Sequence, residues 1–464
     1  MKLLGKTVVE LRELLEKKEI SGKELFDYFH KRIRKYNSSL NAFLTFSDFD
    51  YLNNRSEGNL SGIPLSVKDN FCTKGVRTTA SSKVLNDFIP PYNATVIERL
   101  NKAGYQLLGK TNMDAWAHGS STETSDYGPT KNPWDIARVP GGSSGGSSAS
   151  VVAYLSPASI GSETSGSLRQ PASWSGIVGL KPTYGRVSRY GIISMGSSFD
   201  CPGPLTRTVE DAAYLLEIFA GHDEYDATSS QRPVGTYTKS LKEKKVFTIG
   251  ICEDYVKDVE PEIKVKIEET IKLLEKLGHT VKKVKLIDPS YAISVYTILQ
   301  RSEVSSNLGR YDGIRFGNDR TFFGEEAKRR IMLGTYTLSH GYYDAYYKKA
   351  QKVRTLIIED FKKAFKDVDV ILAPTTPMTA LKIGEWEKYP FFGEVMDVLN
   401  NPAAVAGIPA INVPAGLDKN SLPIGIQFMG PHFAENEILN IAYQYEKETD
   451  FFRVTKKILD KYPD

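Results

Sequence analysis

Cysteine is scarce in this chain of 464 residues: only Cys72, Cys201 and Cys252 occur, widely spaced. No CxxC pair is present, so neither a thiolate zinc site nor a disulfide framework is signalled, and a reducing compartment is expected. Basic runs are short. None reaches five residues, and 60 Lys plus Arg stand against 56 Asp plus Glu, which speaks for a mixed-charge surface and against a nucleic-acid arm. No apolar stretch approaches the ~18 residues that span a bilayer, so no membrane association is expected. The segment Met1-Lys2-Leu3-Leu4-Gly5-Lys6 has no secretory apolar core, and Glu10, Glu13 and Glu16 disfavour an acid-poor transit peptide. A cytoplasmic protein is expected, with the mitochondrial matrix as the alternative should a targeting segment have preceded this sequence.

What is present reads as a globular α/β chain. Val8, Leu11, Leu14 and Leu15 fall at helical spacing over 7–18, and Leu25, Phe29 and Ile33 do so up to about 36. Thr7 with Glu10, and Ser21 with Glu24, form capping-box patterns at the two starts. From about 60 to 220, Gly, Ser and Thr become dense, but Val151, Val152, Trp174, Ile177 and Leu180 interleave with them, which predicts a packed core and not a linker. Further on, 246–251 reads as a strand, 261–277 as a helix closed by Gly278, and 280–286 as a strand. Residues 325–365 look helical, 368–373, 410–413 and 424–428 read as strands, and 435–448 as a helix. No composition break marks a linker, so one domain over 1–464 is expected. Its parts would be N-terminal helices in 1–58, a catalytic core at about 59–225 and 366–464, and a substrate-side region at about 226–365.

Chemistry concentrates in two small-residue segments, Pro140-Gly-Gly-Ser-Ser-Gly-Gly-Ser147 and Gly161-Ser-Glu-Thr-Ser-Gly-Ser-Leu-Arg-Gln-Pro171. The first lacks the Gly-Lys-Ser/Thr ending of a phosphate loop and the glycine spacing of a dinucleotide-binding turn. In the second, successive amides of a tight turn can form a nest for an oxyanion, with Ser167 at its end. A serine nucleophile needs a base. The six histidines show no nucleophile-elbow context. A lysine can serve where burial lowers its pKa, and Lys68 follows the apolar run Ile63-Pro-Leu-Ser-Val67 just ahead of the Gly/Ser segments. A solvated side chain is the commoner fate of a lysine.

Together, Ser66-Val-Lys-Asp69, Gly141-Gly-Ser-Ser-Gly-Gly146 and Thr164-Ser-Gly-Ser-Leu-Arg169 resemble the amidase signature family, over nearly the whole chain and in the family's order. The resemblance implies an α/β amidase signature fold, with a large mixed β-sheet covered by helices on both faces. It implies Ser167 as nucleophile, Ser143 as proton relay through a cis peptide, Lys68 as base, and the amides of Thr164, Ser165, Gly166 and Ser167 as oxyanion hole. No metal or organic cofactor is implied for this chain. One departure stands out: the family usually has Asp-Thr-Gly-Gly-Ser where this chain has Glu163-Thr-Ser-Gly-Ser167. The extra methylene of Glu163 could shift the turn, and Ser165 would be strained if its position needed a positive φ.

Within the family, the stretches 302–317, 329–335 and 341–354 resemble the glutaminase subunits of tRNA-dependent amidotransferases. That subgroup implies glutamine as substrate, with Arg330 on its α-carboxylate, Asp397 on its α-amino group and Tyr296 assisting. A zwitterion is suited by one cation and one anion set apart. It further implies B-type and C-type partner subunits in a heterotrimer, with ATP and magnesium in the partner and misacylated tRNA held mainly there. A stand-alone amidase of small amides is the second reading. A silent scaffold, resting only on the altered Glu163–Ser165 turn, is the third.

Overall fold

The computed structural model of the chain describes residues 3–47, 58–315, 317–449 and 451–464. Met1, Lys2 and residues 48–57 of the expected N-terminal region lie outside the described residues, as does Phe316 of the 302–317 stretch.

Eleven strands of the described residues form one mixed sheet. They are β1 (Phe43–Phe46), β2 (Pro64–Lys68), β3 (Gln106–Thr111), β4 (Ala158–Glu163), β5 (Val178–Lys181), β6 (Cys201–Thr206), β7 (Thr248–Ile251), β8 (Thr280–Lys283), β9 (Val370–Pro374), β10 (Ala410–Leu417) and β11 (Pro423–Met429). Their order across the sheet is β1-β3-β2-β4-β6-β5-β10-β11-β9-β7-β8. This is the expected α/β architecture, a large mixed sheet with helices packed on it. β2 runs parallel to both β3 and β4, and all five of its residues are buried. A parallel strand covered on both faces reads as a largely apolar run without alternation, here interrupted by Ser66 and ended by Lys68.

Both capping boxes form. Thr7 and Ser21 accept from the amides of Glu10 and Glu24, whose carboxylates bond back to the cap amides, and the helices Val8–Glu16 and Gly22–Leu40 follow. The second helix runs past its expected end, because buried Leu40 prolongs its stripe before Asn41 turns left-handed at φ 50°. β7 and β8 are shorter than expected. β8 is an edge strand with three of its four residues exposed, and its pairing with β7 ends at Lys283, where β7 ends at Ile251. Residues 325–365 are broken into Glu325–Leu338, a π-turn at Tyr343–Lys348 and Lys349–Ala364. Helix Pro289–Leu308 had no periodic signal: Gln300, Arg301, Ser302 and Asn307 are buried along with its apolar residues, so no single apolar stripe exists.

Two hydrophobic clusters share the sheet. Leu65, Val67 and Leu168 pack in one, and Ala117, Met195, Phe199 and Tyr296 in the other. The site described next lies where they meet.

Candidate active site

Lys68 ends β2 and Glu163 ends β4, and because these strands are parallel neighbours both residues emerge at the same edge of the sheet. Asp200 joins them there, one residue before β6, whose Cys201 is paired with Glu163. The carboxyl ends of parallel strands are the usual place for a site in open α/β sheets.

The Lys68 ammonium donates to Ser143 Oγ at 2.7 Å and to the Ser162 carbonyl at 3.0 Å. The side chain is fully buried. Burial pulls its pKa down to about 7, against the opposing pull of Asp114, Asp200 and Glu163. An amine poised there can accept a proton at ordinary pH. Burial alone does not single it out. Lys110 is buried as well but is held by the Phe71 carbonyl and the hydroxyls of Thr73 and Thr78. Lys181 is held by the carbonyls of Pro182 and Ile408. Of these three lysines only Lys68 reaches the Gly/Ser loop.

That loop is not a linker; it leads into the buried helix Gly145–Val152. The Gly142–Ser143 peptide is cis. A Cβ on Gly142 would stand 2.0 Å from Asp114 Oδ2, so only glycine fits against that carboxylate. The Gly142 amide donates to Gln170 Oε1 at 2.9 Å, and Gln170 Nε2 donates to the Ser120 carbonyl at 3.1 Å. The loop carrying Ser143 is thereby tied to the helix Arg169–Ser175 that follows Ser167.

Residues 164–167 form the turn between β4 and that helix. Glu163 spans it from beneath: its carboxylate accepts from the amides of Leu168 and Arg169, each at 3.1 Å, and from Arg169 Nε at 3.0 Å. Arg169 also donates to the carbonyls of Ser165 and Asn400, both at 2.9 Å, and to Gln427. The longer glutamate side chain is thus absorbed by a fully buried ion pair. Ser165 is not among the residues with positive φ, so a side chain at that position brings no backbone strain. Thr164 Oγ1 donates to Asp200 at 2.6 Å. Among the described residues, the amides of Ser165, Gly166 and Ser167 meet no acceptor, which leaves them available to an oxyanion.

Ser167, Ser165, Tyr296, Arg330, Glu394 and Asp397 line one narrow pocket. The three substrate-binding candidates, far apart in sequence, therefore meet at the serine turn. Asp397 accepts from Ser120 Oγ at 2.7 Å, and a Cβ on Gly166 would stand 2.1 Å from Asp397 Oδ1, so the carboxylate lies against the turn itself. Burial pushes the Asp397 carboxyl up to about 7; the Ser120 bond opposes this, and Glu163 and Glu394 add to it. Tyr296 is buried edge-on to Phe199, 5.6 Å between centroids.

Arg330 does not stand alone. It donates to Glu326 at 2.6 Å and Gln300 at 3.0 Å, and is paired with Glu394. Glu394 in turn meets Arg301 at 3.1 Å, and Arg329 pairs with Glu326. Three guanidiniums against two carboxylates leave one net positive charge at this end of the pocket. Burial works against the charge of Glu394, but Arg330 and Arg301 outweigh it and hold the carboxyl below its usual range. His118 adds no charge, since burial and then Arg330 and Arg301 push its pKa well down. Glu394, Arg301 and Ser120 were not singled out in the sequence. The only signal for Glu394 was its place three residues before Asp397. Among the described residues no cluster of His, Cys, Asp or Glu is placed to hold a metal ion, and no helix is long and apolar enough to cross a membrane.

Comparison with known proteins identifies the family. The chain is 50% identical over 467 residues to the A-type subunit of glutamyl-tRNA(Gln) amidotransferase of Halothermothrix orenii, covering 96% of this chain and 98% of that protein. The crystal structure of the A-type subunit of glutamyl-tRNA(Gln) amidotransferase from Thermotoga maritima superimposes with a TM-score of 0.85 at 41% identity, covering 97% of this chain and 96% of the other. Native peptide amidase from Stenotrophomonas maltophilia matches with a TM-score of 0.82 at 29% identity, covering 96% and 97%. The sequence model of the Amidase family matches residues 24–439. With that match over most of its length, the chain belongs to the Amidase family, the amidase signature enzymes.

Proposed function

We propose that this chain is the glutaminase subunit of a tRNA-dependent amidotransferase, releasing ammonia from glutamine for the conversion of Glu-tRNA(Gln) to Gln-tRNA(Gln). Asp-tRNA(Asn) is a second candidate acceptor for the same ammonia. The observation that carries this reading is the presence, in the pocket of Ser167, of both Arg330, set in a net positive cluster, and the carboxyl of Asp397. An α-carboxylate and an α-ammonium call for such a pair, whereas a neutral amide needs neither. The relatives' names point the same way.

In this reading the Ser167 hydroxyl attacks the side-chain amide carbon. Its proton passes through Ser143 to Lys68, and the oxyanion rests on the turn amides. The C–N bond then breaks, the proton returns through Ser143 to the nitrogen, and ammonia leaves a glutamyl ester on Ser167. Water, activated by the same relay, hydrolyses the ester to glutamate. No cofactor is required in this chain. ATP and magnesium belong to a B-type partner, which activates the tRNA-linked carboxylate, and a C-type subunit completes the heterotrimer. Three free cysteines suit a cytoplasmic setting.

The test is ammonia release from glutamine, with and without co-expressed partner subunits, for the wild type and Ser167→Ala. Release that depends on the partners and disappears in Ser167→Ala supports the proposal. Turnover of simple amides with none of glutamine refutes it in favour of a stand-alone amidase.

A further inference from the structure

Ser165 is 3% exposed and its hydroxyl oxygen is buried without a hydrogen-bond partner. A buried hydroxyl left unsatisfied costs about 1–3 kcal/mol, and such groups in native proteins call for a specific explanation. Nothing in the local fold supplies one. The backbone at Ser165 is not left-handed, and the turn is held from elsewhere: the Ser165 carbonyl is engaged by Arg169, and the amides of Leu168 and Arg169 by Glu163. Alanine or glycine would serve this turn equally well, so the hydroxyl answers to no structural need.

Its position does give it a use. Ser165 lines the pocket together with Ser167, two residues further along the same turn. Two of the other polar groups around that pocket already have partners: Asp397 has Ser120, and Arg330 has Glu326, Gln300 and Glu394. The free amides of the turn are where negative charge would develop. We propose that the Ser165 hydroxyl touches the substrate there, donating a hydrogen bond to the carbonyl oxygen of the scissile amide as that oxygen becomes negative. It would add a side-chain donor to an oxyanion site otherwise built from backbone. This rests on the glutaminase reading above and goes beyond it by assigning a catalytic side chain.

The test is steady-state glutamine hydrolysis by the complex of the full chain with its partner subunits, comparing wild type, Ser165→Ala and Ser165→Gly, with thermal melting of each. A contact made chiefly in the transition state lowers kcat and leaves KM nearly unchanged. The expected result is a fall in kcat of about three- to tenfold in both variants, the worth of one hydrogen bond, with KM within about twofold and the melting of Ser165→Ala no lower than that of the wild type. If Ser165→Ala packs poorly, Ser165→Gly decides. An active wild type with kcat unchanged in the variants overturns the inference alone, as does a rise in KM without a fall in kcat. A wild-type complex unable to hydrolyse glutamine overturns the glutaminase reading and this inference with it.

Discussion

One carboxylate, that of Glu394, lies between two buried guanidiniums: it pairs with Arg330 on one side and meets Arg301 at 3.1 Å on the other. Removing one partner of a buried pair strands the charge it balanced, at a cost of about 3–5 kcal/mol. Glu394→Ala is expected to lose stability on that scale, read as a lower denaturant midpoint at unchanged m-value. An unfolding free energy within about 1 kcal/mol of wild type would contradict the bridging arrangement.

The pH dependence of hydrolysis follows from Lys68. Below about 7 it is an ammonium and cannot accept a proton; above that it is a free amine. Activity should therefore rise with pH through about 7. Asp200 raises the Lys68 pKa, so Asp200→Asn should move this limb to lower pH. A limb that stays in place would detach Asp200 from the base.

Residues that act as one unit are lost together, not additively. Lys68→Ala, Ser143→Ala and Ser167→Ala should each reduce glutamine hydrolysis by about a thousandfold or more, while the double variant Lys68→Ala/Ser143→Ala should be no worse than either single change by more than about tenfold. Losses that multiply would show that the lysine and the serine act separately. Near-normal turnover by Lys68→Ala would remove it as base.

Arg330→Ala separates recognition from chemistry. Loss of a charge-assisted contact costs about 1.5–3 kcal/mol, or roughly 10- to 150-fold in kcat/KM for glutamine. Hydrolysis of a neutral amide without α substituents should change by less than about threefold. Equal losses on both substrates would place Arg330 outside substrate recognition.

Much of the fold was legible where local rules decide. The capping boxes at Thr7 and Ser21 fixed two helix starts, and Gly278, left-handed at φ 94°, closed a third helix. Ends set by tertiary contact were not legible, such as the extension to Leu40 and the shortening of β8. Helix Pro289–Leu308 was hidden because its buried polar residues break the stripe. In the site, pattern alone could not choose Lys68, since Lys110 and Lys181 also end apolar runs and are also buried. The motif resemblance pointed to it, and the contact with Ser143 distinguishes it from the other two. Arg330, Asp397 and Tyr296 came from resemblance as well. Glu394 was not picked out because its role exists only once the neighbouring helices Pro289–Leu308 and Glu325–Leu338 bring Arg301 and Arg330 together.

Arg169 makes the nucleophile turn and the recognition loop one mechanical part. Its guanidinium spans Glu163 at the base of the turn, the Ser165 carbonyl within it, Asn400 three residues beyond Asp397, and Gln427 in β11. In the proposed reading, the carboxyl offered to the amino end of glutamine and the turn offered to its amide are therefore bolted to the same strut. The Arg330 side stands on helix Glu325–Leu338 and reaches the Asp397 segment through Glu394, so it can be redrawn with less effect on the turn. Changes on the Asp397 side are transmitted to the oxyanion donors, so substrate preference there evolves only together with rate.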